Sequence, residues 1–316
     1  MKKNLIIMLT LLLTFTLSAC TPAEAPIKVL VPNGAPALAQ TAIEYGESRK
    51  ETPDFDIELV FGADLLATAF ATESHEIIFA PTNLGARLFT AAGASYRLAA
   101  TVTWGNLFIA SKQPLDGLES LDGKKITVFG ENATPDIVFR SLLGEVTFTE
   151  APQINYVDAV DMAASELETD PDSIVMLAEP AMSVVEMRTD ETLNVIDLQA
   201  AWQTYFDQDS YPQAGVFIHK DLSDDIVADY LERLQESIAL IYTDLETVLS
   251  YAETLDYPFP TPVLREATPR SNIRYVDAAD SKNALEFFFN RILELQPALI
   301  GGTLPDDNFY YRVDGE

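Results

Sequence analysis

The side chains best placed for chemistry are polar groups and aromatics at the ends of short apolar runs, and they suit holding a molecule better than transforming one. Asn33-Gly34-Ala35 follows the run Ile27–Val31 and opens a helical pattern. Small residues there let a ligand approach free N–H groups at the helix start, and a plain strand-to-helix turn is the competing role. Thr82 and Asn83, after Pro81, offer a hydroxyl and an amide, or cap the helix that follows. Thr134 reads as a helix N-cap with Pro135 at the first helical position, and it can also face a ligand. Asn106 lies two residues beyond Trp104 at the end of another strand. Trp104, Phe61 and Tyr211 can stack on a ligand or fill the space around a hinge. Glu179, just before Pro180, can pair with a cationic or N–H-bearing ligand, or stabilise a helix start through the dipole.

Reactive constellations do not emerge. The chain has two histidines, His75 and His219, and neither has a partner at metal-ligand spacing, so no metal is expected. The pairs Asp207/Asp209 and Asp306/Asp307 lack the spacing of a calcium loop. A secreted hydrolase is the competing function class. It would need a nucleophile with a base, and the sequence has no Gly-x-Ser-x-Gly elbow. No catalytic residue and no cofactor is expected.

The first residues read as a targeting segment. Lys2 and Lys3 precede the apolar stretch Leu5–Leu17, which closes with Ser18-Ala19-Cys20. That stretch is short for a membrane span and suits a signal peptide over 1–19. Cys20 is the sole cysteine, so no internal disulfide can form and its thiol is free for lipidation. Residues 20–26 then serve as a tether to the membrane. The remaining length is natural for two lobes. A net charge of −29 excludes nucleic acid as a partner, because phosphate contacts need clustered Lys and Arg.

Stepping along the chain, strand-like runs over 27–31, 56–61, 76–80 and 96–103 alternate with helical patterns over 35–45, 63–72 and 82–92. This alternation predicts a parallel sheet covered by helices, with any ligand beyond the carboxyl ends of the strands. A second alternation starts near 112, after the turn-rich segment 113–123, and Gly215–His219 reads as a return to the first lobe. The expected division is lobe 1 over 27–108 and 214–316 and lobe 2 over 109–213, joined by crossings near 106–111 and 211–217. The tail predicts a long amphipathic helix over 221–255, ended by Pro258, Pro260 and Pro262, and another over 281–295.

Several stretches in order resemble a family: Ala80-Pro81-Thr82-Asn83-Leu84-Gly85-Ala86, Thr103-Trp104-Gly105-Asn106-Leu107, Gly130-Glu131-Asn132-Ala133-Thr134-Pro135-Asp136 and Ala178-Glu179-Pro180-Ala181. Together with Leu121-Asp122-Gly123-Lys124-Lys125-Ile126 and the late Ile300-Gly301-Gly302, they resemble the type 2 periplasmic-binding-protein fold. More narrowly, they are similar to the substrate-binding lipoproteins of ABC importers in the nitrate, taurine, aliphatic sulfonate and thiamine-precursor group. The resemblance implies an α/β fold of two lobes, each a mainly parallel sheet flanked by helices, with two hinge crossings. It also implies a small-molecule ligand in the cleft, permease subunits of an ABC importer as partners, and an extracytoplasmic, membrane-anchored protein. A pyrimidine synthase of similar fold relies on several cysteines and a reactive histidine, where this chain has one Cys. No Arg or Lys falls in the strand-end loops, Arg87 and Arg140 lying inside helices. A strong anion recruits Arg, so the expected ligand is a flat heterocycle such as a thiamine-type pyrimidine precursor, with sulfonate, taurine or nitrate as the alternative.

Overall fold

The structure is a computed structural model that describes residues 25–92 and 95–312. Cys20 and the leader read over 1–19 lie outside the described residues. The first lobe opens with β1 (Ile27–Pro32), α1 (Ala35–Ala39), α2 (Thr41–Glu47), β2 (Phe55–Val60), α3 (Ala63–Thr72), β3 (Ile77–Pro81), α4 (Thr82–Ala92) and β4 (Tyr96–Thr103). The chain then crosses into β5 (Leu107–Ser111), β6 (Lys125–Phe129), α5 (Thr134–Gly144), β7 (Gln153–Val157), α6 (Val160–Thr169), β8 (Ile174–Ala178), α7 (Ala181–Arg188), β9 (Asn194–Asp197) and α8 (Leu198–Phe206). It returns through β10 (Ala214–His219), α9 (Asp224–Thr243), α10 (Leu245–Thr254), α11 (Thr261–Arg270), β11 (Ile273–Asp277) and α12 (Ala278–Leu295).

Two sheets result. The first is six-stranded in the order β11-β4-β10-β3-β1-β2, and the second is five-stranded in the order β7-β6-β8-β5-β9. β1 pairs in parallel with β2 and β3, whereas β10 runs antiparallel to both β3 and β4. In the second sheet β6, β7 and β8 are parallel and β5 opposes β8 and β9. Helices cover both faces, so the inner strands are apolar throughout instead of alternating. Val29–Val31 of β1, Ile77–Ala80 of β3 and Val216–Ile218 of β10 are all buried. That continuous apolar run is why β10, late in sequence, threads to the middle of the first sheet. Gly85 of α4 lets this happen: a Cβ there would lie 2.1 Å from Cζ of Phe217 on β10.

Some expected elements break differently. The pattern over 35–45 divides at Gln40, whose buried side chain accepts from the Tyr230 hydroxyl at 3.2 Å. The long tail helix ends at Asp244, where the carboxylate caps α10 by accepting from the Thr247 N–H at 3.2 Å. Of the prolines after it, Pro258 and Pro260 lie in the short loop that follows α10. Pro262 sits in the first turn of α11, where its missing N–H costs nothing, and β11 follows. Residues from Leu107 onward already belong to the second sheet, so the first crossing is 104–106 and not 106–111. The second crossing ends where β10 begins at Ala214.

Candidate functional site

Between the lobes lies a cavity of about 780 Å³, within the range that encloses small organic ligands. Its rims are the carboxyl ends of β1, β2 and β3 on one side and the loops after β6, β7 and β8 on the other. Because each of these strands is followed by a helix, the starts of α3, α4, α5, α6 and α7 converge on the space, with their N–H groups and positive dipole ends. Phe61, Leu66, Leu84, Phe129, Phe259 and Leu299 supply an apolar wall.

The expected residues fall into two groups. Asn33, Gly34, Ala35, Phe61, Asn83, Asn106, Thr134 and Glu179 line the cavity. Gly34 takes φ 105°, a conformation that favours glycine, and turns the chain from β1 into α1. Phe61 is 68% exposed and stands at the mouth. Asn83 and Thr134 meet across the cleft, the Thr134 hydroxyl donating to Asn83 Oδ1 at 3.1 Å. Thr134 is therefore not the N-cap. Ala133 holds that position, and the Thr134 hydroxyl joins the two lobes instead. Asn106 Oδ1 accepts from Gln213 Nε2 at 2.9 Å, which links the two crossings.

Thr82, Trp104 and Tyr211 do not reach the cavity. Thr82 is fully buried and its hydroxyl donates to the Pro212 carbonyl at 3.1 Å, fastening the end of β3 to the second crossing. Trp104 is 3% exposed, donates Nε1–H to the Arg274 carbonyl at 3.3 Å and lies 4.3 Å beneath the Arg274 guanidinium. Tyr211 is buried against Trp202, its hydroxyl accepting from the Leu107 N–H at 3.3 Å. All three brace the hinge. Large aromatics at a crossing are drawn into the seam because both lobes offer apolar surface there. Gly105 belongs to the same seam, since a Cβ would lie 2.6 Å from the Tyr211 ring.

Arg87 is the residue that sequence reading placed inside a helix and away from the ligand. It lines the cavity, and it is the only Lys or Arg among the described residues that does. It makes no ion pair among the described residues, although the chain carries 49 carboxylates. Its position was legible in principle: Arg87 is four residues beyond Asn83, so both project from one face of α4. Asp161 and Glu179 are the cavity's carboxylates. Burial pushes the Glu179 carboxyl above its ordinary value, against the opposing pull of Arg270 and of hydrogen bonds from Ser183. The Ser183 hydroxyl and N–H donate to Glu179 Oε2 at 2.8 and 3.2 Å. Arg270, on α11 of the first lobe, brings Nε within 2.9 Å of Glu179 Oε1 and also pairs with Glu186 of α7. Residues of α11 were not anticipated, because its prolines resemble a loop.

His75 and His219 lie away from the cavity, and among the described residues no group of three acidic, His or Cys side chains could hold a metal ion. Among the described residues no helix is long and apolar enough to cross a membrane. The heterocycle expectation rested on Glu179 and the aromatics facing the ligand and on cations being distant. Glu179 and Phe61 line the cleft, Trp104 and Tyr211 are in the hinge, and Arg87 is in the cleft.

A family model described as menaquinone biosynthesis matches residues 99–259, half of the chain. No curated protein matches the sequence. An ABC transporter structure from Parabacteroides distasonis superposes with a TM-score of 0.80 at 22% identity, covering 92% of this chain and 99% of that one. The ligand-binding component of an ABC-type import system from Staphylococcus aureus, with zinc bound, gives 0.69 at 12% identity, covering 91% and 97%. The alkanesulfonate-binding protein SsuA from Xanthomonas axonopodis pv. citri, bound to MOPS, gives 0.63 at 14% identity, covering 92% and 100%. Two are named as parts of ABC transport systems and the third as a binding protein. The chain has the two-lobed α/β fold of periplasmic binding proteins, as the sequence resemblance implied.

Proposed function

The chain belongs to the menaquinone biosynthesis family, and from its two-lobed fold and its cleft we propose that it is a solute-binding protein that captures a small organic anion between its lobes. The carrying observation is Arg87, which makes no ion pair among the described residues and is the only Lys or Arg of those residues in the cavity, among apolar side chains, helix starts, neutral polar groups and the carboxylates Asp161 and Glu179. An anionic group there gains charge-assisted hydrogen bonds and the favourable end of several helix dipoles. The ligand's remaining body fits against Phe61, Leu84, Phe129 and Leu299. A sulfonate or carboxylate on an apolar frame meets these demands better than a neutral thiamine-type heterocycle.

The same reading places the chain outside the cytoplasm as the binding component of an ABC importer. Lipidation of Cys20 would anchor it, with 27–103 and 214–312 as one moving body and 107–206 as the other. Support comes from the leader pattern ending at Cys20 and from the names of the structural neighbours. Closure around a bound solute would change the surface offered to permease subunits, provided the closed state binds it more tightly.

A panel of alkanesulfonates, aryl carboxylates, nitrate and heterocyclic bases, read by thermal shift and calorimetry, tests the proposal. Organic anions are expected to stabilise the protein, and Arg87→Gln to weaken their binding by about 1.5–3 kcal/mol, the range for hydrogen bonds to charged groups. A response confined to neutral bases would sink it.

Catalysis on a menaquinone precursor is a second reading, favoured by one observation. The matched segment carries Asn106, Thr134, Asp161, Glu179 and Gln213, including both cavity carboxylates. Mass spectrometry of the bound compound separates the two: capture returns it unchanged, and catalysis returns a product.

A further inference from the structure

A second cavity lies at the end of the first lobe opposite the cleft, and it gathers cations in a chain of 20 Lys and Arg against 49 Asp and Glu. Its volume is about 200 Å³, and its polar lining includes Arg97, His219, Lys220, Ser223, Asp224 and Arg312. Arg97 of β4 is the cross-strand partner of Ile218 on β10, whose side chain packs beneath α9, so Arg97 emerges on the face that α9 covers. Neither Arg97 nor Lys220 makes an ion pair among the described residues. Ser223 is the N-cap residue of the 20-residue helix α9, yet its hydroxyl makes no capping bond. The lining carboxylate, Asp224, accepts from the Tyr311 hydroxyl at 2.8 Å. Other carboxylates stand close by: Glu73 and Asp221 lie 3.6 and 3.7 Å from the His219 ring nitrogens, and Asp307 lies 3.6 Å from Arg312 Nη2. Arg97, Lys220, the Ser223 hydroxyl and the first N–H groups of α9 are left as donors. So many donors around so small a space suit an anion with several oxygens, such as a phosphate group.

The chain enters the fold beside this pocket. The Lys28 carbonyl accepts from the Glu76 N–H at 3.1 Å, and the Glu76 carbonyl accepts from the His219 N–H at 2.8 Å. Lys28 is thus two strands, about 10 Å, from His219. Residues 20–26 reach at most about 25 Å when fully extended. A lipid on Cys20 therefore brings this end of the lobe, with the exposed Lys28, to the bilayer surface, whereas the cleft lies at the other ends of β1 and β3. We propose that the pocket of Arg97, Lys220 and Arg312 binds the phosphate of an anionic membrane lipid and so sets the orientation of the anchored protein. This rests on the lipid-anchor part of the binding reading and goes beyond it. A chain of net charge −29 is repelled as a whole by an anionic bilayer, so the attraction depends on these side chains and not on net charge.

Flotation with phosphatidylcholine vesicles, with and without phosphatidylglycerol, tests this on the chain from residue 20 carrying Cys20→Ser, which keeps every described residue and takes no lipid. The protein is expected to float with the phosphatidylglycerol vesicles and not with phosphatidylcholine alone. Arg97→Gln and Lys220→Gln should each lower that partitioning about fivefold, the contribution of one cation near an anionic surface. Lys125→Gln makes the same charge change on the second lobe and should leave it at the parent level. Thermal melts confirm that the variants fold, and organic-anion binding in the cleft should be unchanged in Arg97→Gln. Equal partitioning to both vesicles would overturn the proposal, and so would equal losses in all three variants, which would reduce the effect to net charge. Calorimetric binding of inorganic phosphate without a preference for phosphatidylglycerol would assign the pocket to a soluble ion and overturn the lipid source. Mass spectrometry of the membrane fraction reads the premise separately: a full-length chain without acyl groups on Cys20 would remove the anchor, whereas an acylated chain with no lipid preference would remove the pocket alone.

Discussion

At the residue scale, burial separates side chains that hold the lobes together from side chains that face the solvent-filled cleft. Trp104 takes the hinge-filling role of the two open to it, and Arg87, expected inside a helix and away from the ligand, lines the cleft. An indole is large and apolar enough that the seam between lobes takes it in, with its single N–H satisfied by the Arg274 carbonyl. A guanidinium four residues along a helix from Asn83 can extend into the cavity and remain solvated. Trp104→Ala is accordingly expected to destabilise the fold by about 3–5 kcal/mol, as for other buried aromatic truncations. Urea unfolding measures that loss, and calorimetry on the variant's folded fraction should show anion affinity within about twofold of the parent. A large loss of affinity at unchanged stability would return Trp104 to the ligand.

At the element scale, the start of α5 shows how a helix is made to present its end to the cleft. Asp136, 1% exposed, accepts from Arg140 Nε and Nη2 at 3.0 and 2.9 Å, from the Tyr156 hydroxyl at 2.6 Å and from the Asn132 N–H at 3.0 Å. Burial first, and then this carboxylate, hold the Tyr156 phenol above its ordinary value. The bond to Asn132 fixes that residue at φ 56° and so sets the loop that carries Thr134 to Asn83. Breaking a buried pair costs about 3–5 kcal/mol because the remaining charge is left uncompensated. Asp136→Asn should show a loss of that order in denaturant unfolding and faster amide exchange over 130–135. Unchanged exchange there would mean the loop is held by its own turn chemistry.

At the scale of the whole molecule, the two lobes are tied at three places around the cleft. Arg270 of α11 reaches Glu179 and Glu186 and lies 4.9 Å from the Phe108 ring of β5. The Asn83–Thr134 bond closes one lip. On the far side α12 packs on α5 and α8, with Arg291 Nη1 3.6 Å from Glu145 Oε1 and its guanidinium over the Phe206 ring. The crossings between them are laced by Gly105 N–H to Ser210 Oγ at 3.0 Å and by Leu107 N–H to the Tyr211 hydroxyl. A hinge flanked by releasable polar ties is suited to opening without unfolding either sheet. Arg270→Gln removes the tie nearest the cleft floor. Small-angle scattering of this variant, with no ligand added, should give a larger radius of gyration than the parent. An identical scattering profile would show that the α12 contacts alone hold the lobes.

Legible in the residues alone are the alternation of strand and helix, the two-lobed plan, the return strand β10 and the rim segments Asn33–Ala35, Asn83, Asn106, Thr134 and Glu179. Those features are written locally, in apolar runs, turn residues and helix starts, and local patterns survive without knowledge of neighbours. Which polar and aromatic groups meet was settled by the packing of the two lobes. Thr82, Trp104 and Tyr211 turned inward, Arg87 turned to the cleft, and Arg270 arrived from a proline-bearing helix 91 residues after Glu179. Whether a side chain lines a cavity or packs a seam depends on what the opposite lobe places against it, and that surface comes from residues far away in the chain.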